Sequence, residues 1–267
     1  MFKDITMGQY FPADSFIHQL DPRVKILSAF ILIIAVFICD GLVAFLMAVA
    51  FNLLLIKSSK LKFSMVLRSV KPVIFLVVFT GLINVFLTEG ENYIFEWKFI
   101  KISYEGLFSA ARMAMRIILL ISFTSLLTFT TSPIMLTDGI ESLLSPFTKI
   151  GLPAHELAMM MTIALRFIPT LLEETDKIIM AQKSRGADFE SGNLINRAKA
   201  LIPILVPLFI NSFKRADELA TAMECRCYRG GKNRTRLKEL KFTSGDLCAF
   251  IIIIAFTASI ITVGVII

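Results

Sequence analysis

The apolar residues of this chain gather in long runs, and the charged residues gather between them. The first run extends from Val24 to Cys39 and is almost wholly apolar. Asp40-Gly41 breaks it, and a second run goes from Leu42 to Ile56. Each is close to the shortest length, about 17 residues, that crosses a bilayer as a helix. Asp21-Pro22-Arg23 opens the first run: Asp is a favoured N-cap, and Pro suits the first helical position. Further runs cover Pro72 to about Leu87, Leu107 to Phe129 and Leu247 to Ile267. The pattern predicts an all-α integral membrane protein with about five transmembrane helices. Phe2 to Asp14 is mixed and polar, so no signal peptide is expected and the first run should remain as a span.

Lys57, Lys60, Lys62, Arg68 and Lys71 lie between the second and third runs with no acid among them. Cytoplasmic loops carry the excess of Lys and Arg, so this segment should be cytoplasmic and Asp40-Gly41 outside. The loop 88–103 should also be outside, with Tyr93 to Ile100 alternating like a small hairpin and Trp97 marking interfacial depth.

The stretch from Thr131 to Gly245, roughly 115 residues, is too long for a simple connection. The domain division expected is therefore 1–130 with four spans, a cytoplasmic coupling-helix domain at 131–245, and a last span at 246–267. Thr131-Ser132-Pro133 reads as a helix start and Gly151-Leu152-Pro153 as a stop. A second helix should run from Ala154 to about Arg185, with Gly186 and Asp188 at its end, and a third from about Leu194 to Tyr228, before Gly230-Gly231. The apolar parts 157–172 and 200–213 either lie at the inner membrane surface or form two extra spans. The first is interrupted by Arg166 and Pro169; the second is about 14 residues long and interrupted by Pro203 and Pro207. The face Leu201, Ile204, Leu205 and Leu208 is a candidate contact surface for another membrane subunit.

The two long helices end alike, in Ser184-Arg185-Gly186 and in Cys225-Arg226-Cys227. Small neighbours let a partner approach an arginine, whose planar fork suits carboxylates. A basic residue completing the helix dipole is the plainer explanation for one such ending; two at successive helix ends favour docking into acidic grooves.

The net charge of +7 and the 56% hydrophobic fraction fit basic loops facing anionic lipid rather than nucleic acid. Cys39, Cys225, Cys227 and Cys248 have no disulfide or zinc-site spacing. His18 and His155 read as satisfied or solvated side chains. Arg112 and Arg116, one turn apart at the start of the fourth run, serve either a structural pairing near Glu105 and the outer loop or a partner contact. Asp217 and Glu218 beside Lys214 and Arg215 suggest an intrahelical salt-bridge face. The chain has no P-loop and no hydrolase constellation.

The residues quoted so far, in order and spacing, resemble the T component of energy-coupling factor transporters, a family related to ABC importers. The resemblance covers nearly the whole chain: Gly8-Gln9-Tyr10, Asp14-Ser15, Leu20-Asp21-Pro22-Arg23, Leu136 to Glu141, Pro153 to Leu157, Arg166-Phe167-Ile168-Pro169, and Arg215 to Ala220. It implies a multi-pass subunit of the prokaryotic cytoplasmic membrane without catalytic residues. Its partners would be two ABC-type ATPase subunits, which carry ATP-Mg, and a substrate-binding S component for a vitamin or a transition metal. It also implies that Arg185 and Arg226 are the ATPase-docking residues, with Ser184, Cys225 and Cys227 standing where the family has Ala, Ala and Gly. Cys227 takes a positive φ less easily than Gly, which bears on how the second helix ends. The rival reading is a self-sufficient secondary transporter, which would need polar residues paired in the spans.

Overall fold

The computed structural model describes residues 10–39, 41–88, 93–97, 100–187, 189, 193–231 and 240–266. The chain divides into two compact units, one formed by Gly8–Gly139 with Glu239–Ile267 and the other containing Ile140–Lys238.

The first unit is a helical bundle. A short helix α1 (Phe16–Gln19) leads into α2 (Pro22–Ile38), and α3 (Leu42–Ser58) follows. The Asp21 carboxylate accepts from the Arg23 N–H and Pro22 takes the first turn, so the helix start is the one the sequence predicts. Next come α4 (Phe63–Val70), one 3-10 turn at Lys71–Val73, and α5 (Ile74–Leu87). The third apolar run therefore begins earlier than Pro72. Phe63–Phe86 forms one apolar helical stretch long enough to cross a membrane. Pro72 sits in the short 3-10 turn rather than deep in a helix, where its missing N–H would cost more. Val66 and Val70 of α4 are buried.

Strands β1 (Tyr93–Trp97) and β2 (Ile100–Ser103) pair antiparallel, as the alternation in this segment predicts. The side chain of Trp97 lies outside the described residues. Ser103 caps α6 (Tyr104–Thr130) by accepting from the Gly106 N–H. A Cβ on Gly106 would lie 3.2 Å from the Val85 carbonyl, so the missing side chain lets α5 and α6 close together. Helix α10 (Ser244–Ile266) completes the bundle.

The bundle core is Leu32 and Val36 of α2, Ala44, Phe45 and Ala48 of α3, Leu119 and Phe123 of α6, and Ile253 and Ile260 of α10. The small residues of α3 let its neighbours approach, which is how helices associate when lipid offers no hydrophobic drive. One polar contact is buried there: Ser122 donates to Asn52 Oδ1 at 2.7 Å. Helices α6 and α10 are also long and apolar enough to cross a membrane, and α3 is apolar but shorter.

Arg116 donates to the Cys39 carbonyl at 2.8 Å and stands over the Phe45 ring, and Arg112 stands over Phe108. Arg116 thus ties α6 to the end of α2 and to α3, contacts other than the expected pairing near Glu105 and the outer loop.

The second unit is built from long helices. Helix α7 (Pro133–Leu144) begins in the bundle unit, where Ser132 Oγ accepts from the Met135 N–H; its part from Ile140 onward belongs to the second unit and continues as a 3-10 turn, Ser145–Ile150. Gly151, at φ +94°, ends it. Helices α8 (Ala154–Ser184) and α9 (Leu194–Cys225) follow. By length and composition α8 also qualifies to cross a membrane.

Candidate functional site

The two predicted arginine endings have one geometry. At the end of α8 the Gly186 N–H donates to the Lys183 carbonyl at 3.0 Å and the Ala187 N–H to the Gln182 carbonyl at 3.0 Å. At the end of α9 the Cys227 N–H donates to Glu224 at 2.8 Å and the Tyr228 N–H to Met223 at 3.0 Å. Each pair is a Schellman ending, with a left-handed residue one position past the cap. Arg185 and Arg226 are the capping residues of their helices. Gly186 has φ +84° and Cys227 has φ +56°. Cys227 thus adopts the conformation that its residue type made doubtful, at a steric cost of roughly 1–2 kcal/mol relative to right-handed backbone.

Ser184, Arg185 and Gly186 are exposed, and so are Cys225, Arg226 and Cys227. Ser184 Oγ turns back to the Met180 carbonyl at 3.0 Å, leaving the arginine as the polar group at the tip. Each tip sits at a helix C-terminus, where unpaired carbonyls give partial negative charge and favour a cation.

The chain beyond α9 returns to the start of α8. A Cβ on Gly231 would fall 2.5 Å from His155 Cδ2, so only glycine fits, and His155 Nδ1 lies 3.0 Å from Glu141 Oε1. Further along, the Glu174 carboxylate of α8 meets α9 between Asn211 and Arg215. The Asn211 amide donates to Oε1, and Arg215 Nη2 lies 3.1 Å from Oε2. The two meeting places, Glu174 with Arg215 and His155 with Gly231, show that α8 and α9 run in opposite senses. Arg215 therefore pairs across helices rather than along its own face as the sequence suggests; the side chain reaches a carboxylate that no spacing within α9 reveals.

The candidate contact face on α9 is only partly available. Leu201 and Leu205 are exposed and Leu208 is half-buried, but Ile204 is 5% exposed. Ile204 thus leaves the expected surface. Four residues at 3–4 spacing do not share one exposure when the stripe is narrower than their spread.

A polar knot in the bundle unit was missed by sequence reasoning. Asp246 Oδ1 accepts from the Asp21 N–H at 2.7 Å, and Oδ2 accepts from the Thr243 N–H and hydroxyl at 2.8 and 2.7 Å. One carboxylate thus joins the starts of α2 and α10. Buried Lys25 donates to the carbonyls of His18 and Thr130 at 2.9 and 3.1 Å. His18 Nε2 lies 3.0 Å from the Phe11 carbonyl, which only accepts, so Nε2 carries the proton and Nδ1 accepts from Ser15 Oγ at 2.7 Å. Burial, with Lys25 nearby, pulls the His18 pKa below its usual value. Asp14-Ser15 and Leu20-Asp21-Pro22-Arg23 are the outward signs of this knot, and Thr243-Ser244-Gly245-Asp246 has the spacing of a capping box ahead of an apolar run, a signal that places Asp246 at the start of α10 but not against Asp21.

These features define a multi-pass α-helical protein of the cell membrane, with a second unit that presents two matched arginine-tipped helices. Comparison with known proteins takes the identification further. Residues 13–237 match the family CbiQ, described as cobalt transport protein. A Clostridium kluyveri protein named energy-coupling factor transporter transmembrane protein EcfT is 59% identical over 258 residues, 95% of this chain and 96% of that protein. Proteins of the same name from Ruminiclostridium cellulolyticum and Acidaminococcus fermentans are 54% and 53% identical, over 98% and 96% of this chain and 97% and 95% of theirs. The chain belongs to this family of transporter transmembrane proteins.

Proposed function

We propose that this chain is the non-catalytic coupling subunit of an energy-coupling factor importer. In this reading Arg185 and Arg226 each enter an acidic groove on one of two ABC-type ATPases, which bind and hydrolyse ATP-Mg. The side carrying both tips is the cytoplasm. A separate substrate-binding membrane subunit, carrying a vitamin or a transition metal, rests against the apolar face of exposed Leu201 and Leu205 and half-buried Leu208. ATP-driven closure of the ATPases moves the tips, and the long helices carry that motion to the substrate-binding subunit, which reorients and releases its cargo.

The observation that carries the reading is the identity of the two helix endings, down to the residue that holds the guanidinium. A helix terminus needs only one favourable charge, and chance supplies one such ending readily. Two exposed arginines in the same backbone setting, on successive helices, suit two copies of one kind of groove.

Affinity purification of the tagged chain from its own membranes tests this. The wild type should retain both ATPases and the substrate-binding subunit. Arg185→Ala with Arg226→Ala should lose the ATPases and keep the substrate-binding subunit; Leu205→Asp should do the reverse. Retention of both ATPases by the double arginine variant would defeat the docking assignment.

A further inference from the structure

The bundle unit holds a cavity of about 320 Å³ between α1, α2, α3, α6 and α10. Ligand pockets have this size and this make-up, mostly apolar with a few placed polar groups. Along α2 the lining extends from Val24 to Leu32, about 12 Å at 1.5 Å per residue. One leaflet's share of the ~30 Å hydrocarbon core is about 15 Å. Leu32, Phe51, Phe123 and Ile253 line the deep end. The polar lining residues, Lys25, Ser28, Ser58 and Thr130, lie toward the helix ends on the side of the basic segment 57–71. That side is the cytoplasmic one by the distribution of Lys and Arg. The cavity thus has the polarity gradient of one leaflet, polar at the membrane surface and apolar toward the midplane.

We propose that this cavity holds one acyl chain of an anionic phospholipid from the cytoplasmic leaflet, with the ester carbonyl at Lys25 and Ser28 and the headgroup beside Lys57 and Lys60. The site lies wholly in the bundle unit and does not depend on what the arginine tips bind.

Lys25 and Ser28 stand one turn apart on α2, so they share a face. Lys25 is 7% exposed and gives two of its three donors to the carbonyls of His18 and Thr130. Ser28 is 6% exposed, and its hydroxyl has no hydrogen-bond partner among the described residues. A buried polar group left unpaired is costly, and an acceptor entering the cavity would satisfy it. An ester carbonyl, which only accepts, suits both side chains. Asp21 and Asp246 act on Lys25 through space, so the lysine offers a donor rather than an unmatched charge. The charge of the headgroup falls to exposed Lys57 and Lys60, on either side of the lining residue Ser58, in a segment without acids.

The wall of the cavity also faces lipid. Phe51 of α3 stacks on Phe256 of α10, with ring centroids 3.9 Å apart, and closes the seam between these helices. One turn nearer the cytoplasmic end, the lining residues Leu54 and Ile252 are 61% and 53% exposed. A chain entering there leaves its head at the membrane surface.

Photocrosslinking tests the proposal. The full chain, purified with its partners, is reconstituted into phosphatidylcholine vesicles that contain phosphatidylglycerol with a diazirine on one acyl chain. Crosslinked peptides are mapped by mass spectrometry. Label should reach Leu32, Phe123 and Ile253, which are buried, as well as exposed Phe79 and Leu82 of α5, which report annular lipid and correct insertion. Ala29→Phe and Ala249→Phe fill the cavity from α2 and α10; each should lower the cavity label at least tenfold and leave the α5 label unchanged. Ser28→Ala adds no bulk and should lower the ratio of cavity to α5 label about fivefold, the effect of one hydrogen bond. If the filled variants do not assemble, Ser28→Ala decides, and an unchanged ratio there overturns the proposal. Lys57→Ala with Lys60→Ala should lower the cavity label about fivefold for each lysine removed. Wild-type label confined to exposed residues overturns the site, and so does cavity label that survives both fillers. Equal cavity label from a phosphatidylcholine probe with the same chain overturns the anionic phospholipid. So does displacement of the label by added fatty acid but not by unlabelled phosphatidylglycerol, which would make a free acid the occupant.

Discussion

Arg185 and Arg226 occupy the same position in two Schellman endings, each the last residue before a left-handed turn of the backbone, with matching hydrogen bonds to the carbonyls two and three residues upstream. The likeness lies in the backbone more than in the letters. Gly186 and Cys227 share little as residues, yet both place the following chain on the same course.

The first expectation concerns the arginine itself. If each guanidinium pairs with a buried carboxylate of an ATPase, Arg→Ala at one site costs about 2–5 kcal/mol of binding. Lysine should rescue poorly, because it keeps the charge and loses the planar fork. A helix-dipole role predicts instead about 0.3–1 kcal/mol of stability in this subunit alone, with good rescue by lysine. Titrating each variant with purified ATPase separates the two outcomes.

The positive φ at the two endings predicts opposite responses to exchange. Cys227→Gly relieves left-handed strain and should raise the stability of this helix end by up to about 1–2 kcal/mol, with docking intact. Gly186→Ala introduces the same strain and should lose more than about 0.4–1 kcal/mol. Thermal melting of the detergent-solubilised protein, read beside ATPase binding, checks both signs.

Asp246 holds two helix starts with one carboxylate. Hydrogen bonds to a charged group are worth about 1.5–3 kcal/mol each, so Asp246→Ala should destabilise the bundle by several kcal/mol in all. Asp246→Asn, which keeps one acceptor oxygen, should fall between. The yield of monodisperse protein after a heating series is the measurement; an Ala variant as stable as the wild type would contradict the knot.

His18 predicts a pH response. Its folded pKa lies below the unfolded value of 6.5, so between the two the unfolded chain binds more protons. Stability then falls as pH drops below about 6.5 and levels off once the folded pKa is passed. Lys25 and Asp14 are the charged groups acting on the ring. His18→Gln should remove this part of the dependence, and the comparison is a set of melting curves for wild type and variant between neutral and mildly acid pH.

The sequence by itself determined the helical membrane class, the start of α2, the hairpin before α6 and the arginine endings of α8 and α9. Each of these is a local matter: a run of apolar residues, a cap followed by proline, an alternation, a small residue past a helix end. Local conformation follows from neighbours along the chain, and those are written in order. Tertiary structure alone decided that Arg215 pairs with Glu174 instead of a neighbour on α9, that Asp246 joins α10 to α2, and that Ile204 is buried while Leu201 and Leu205 are not. Charges and carboxylates far apart in sequence have many partners open to them. Only the approach of whole helices, set by packing across their faces, selects one.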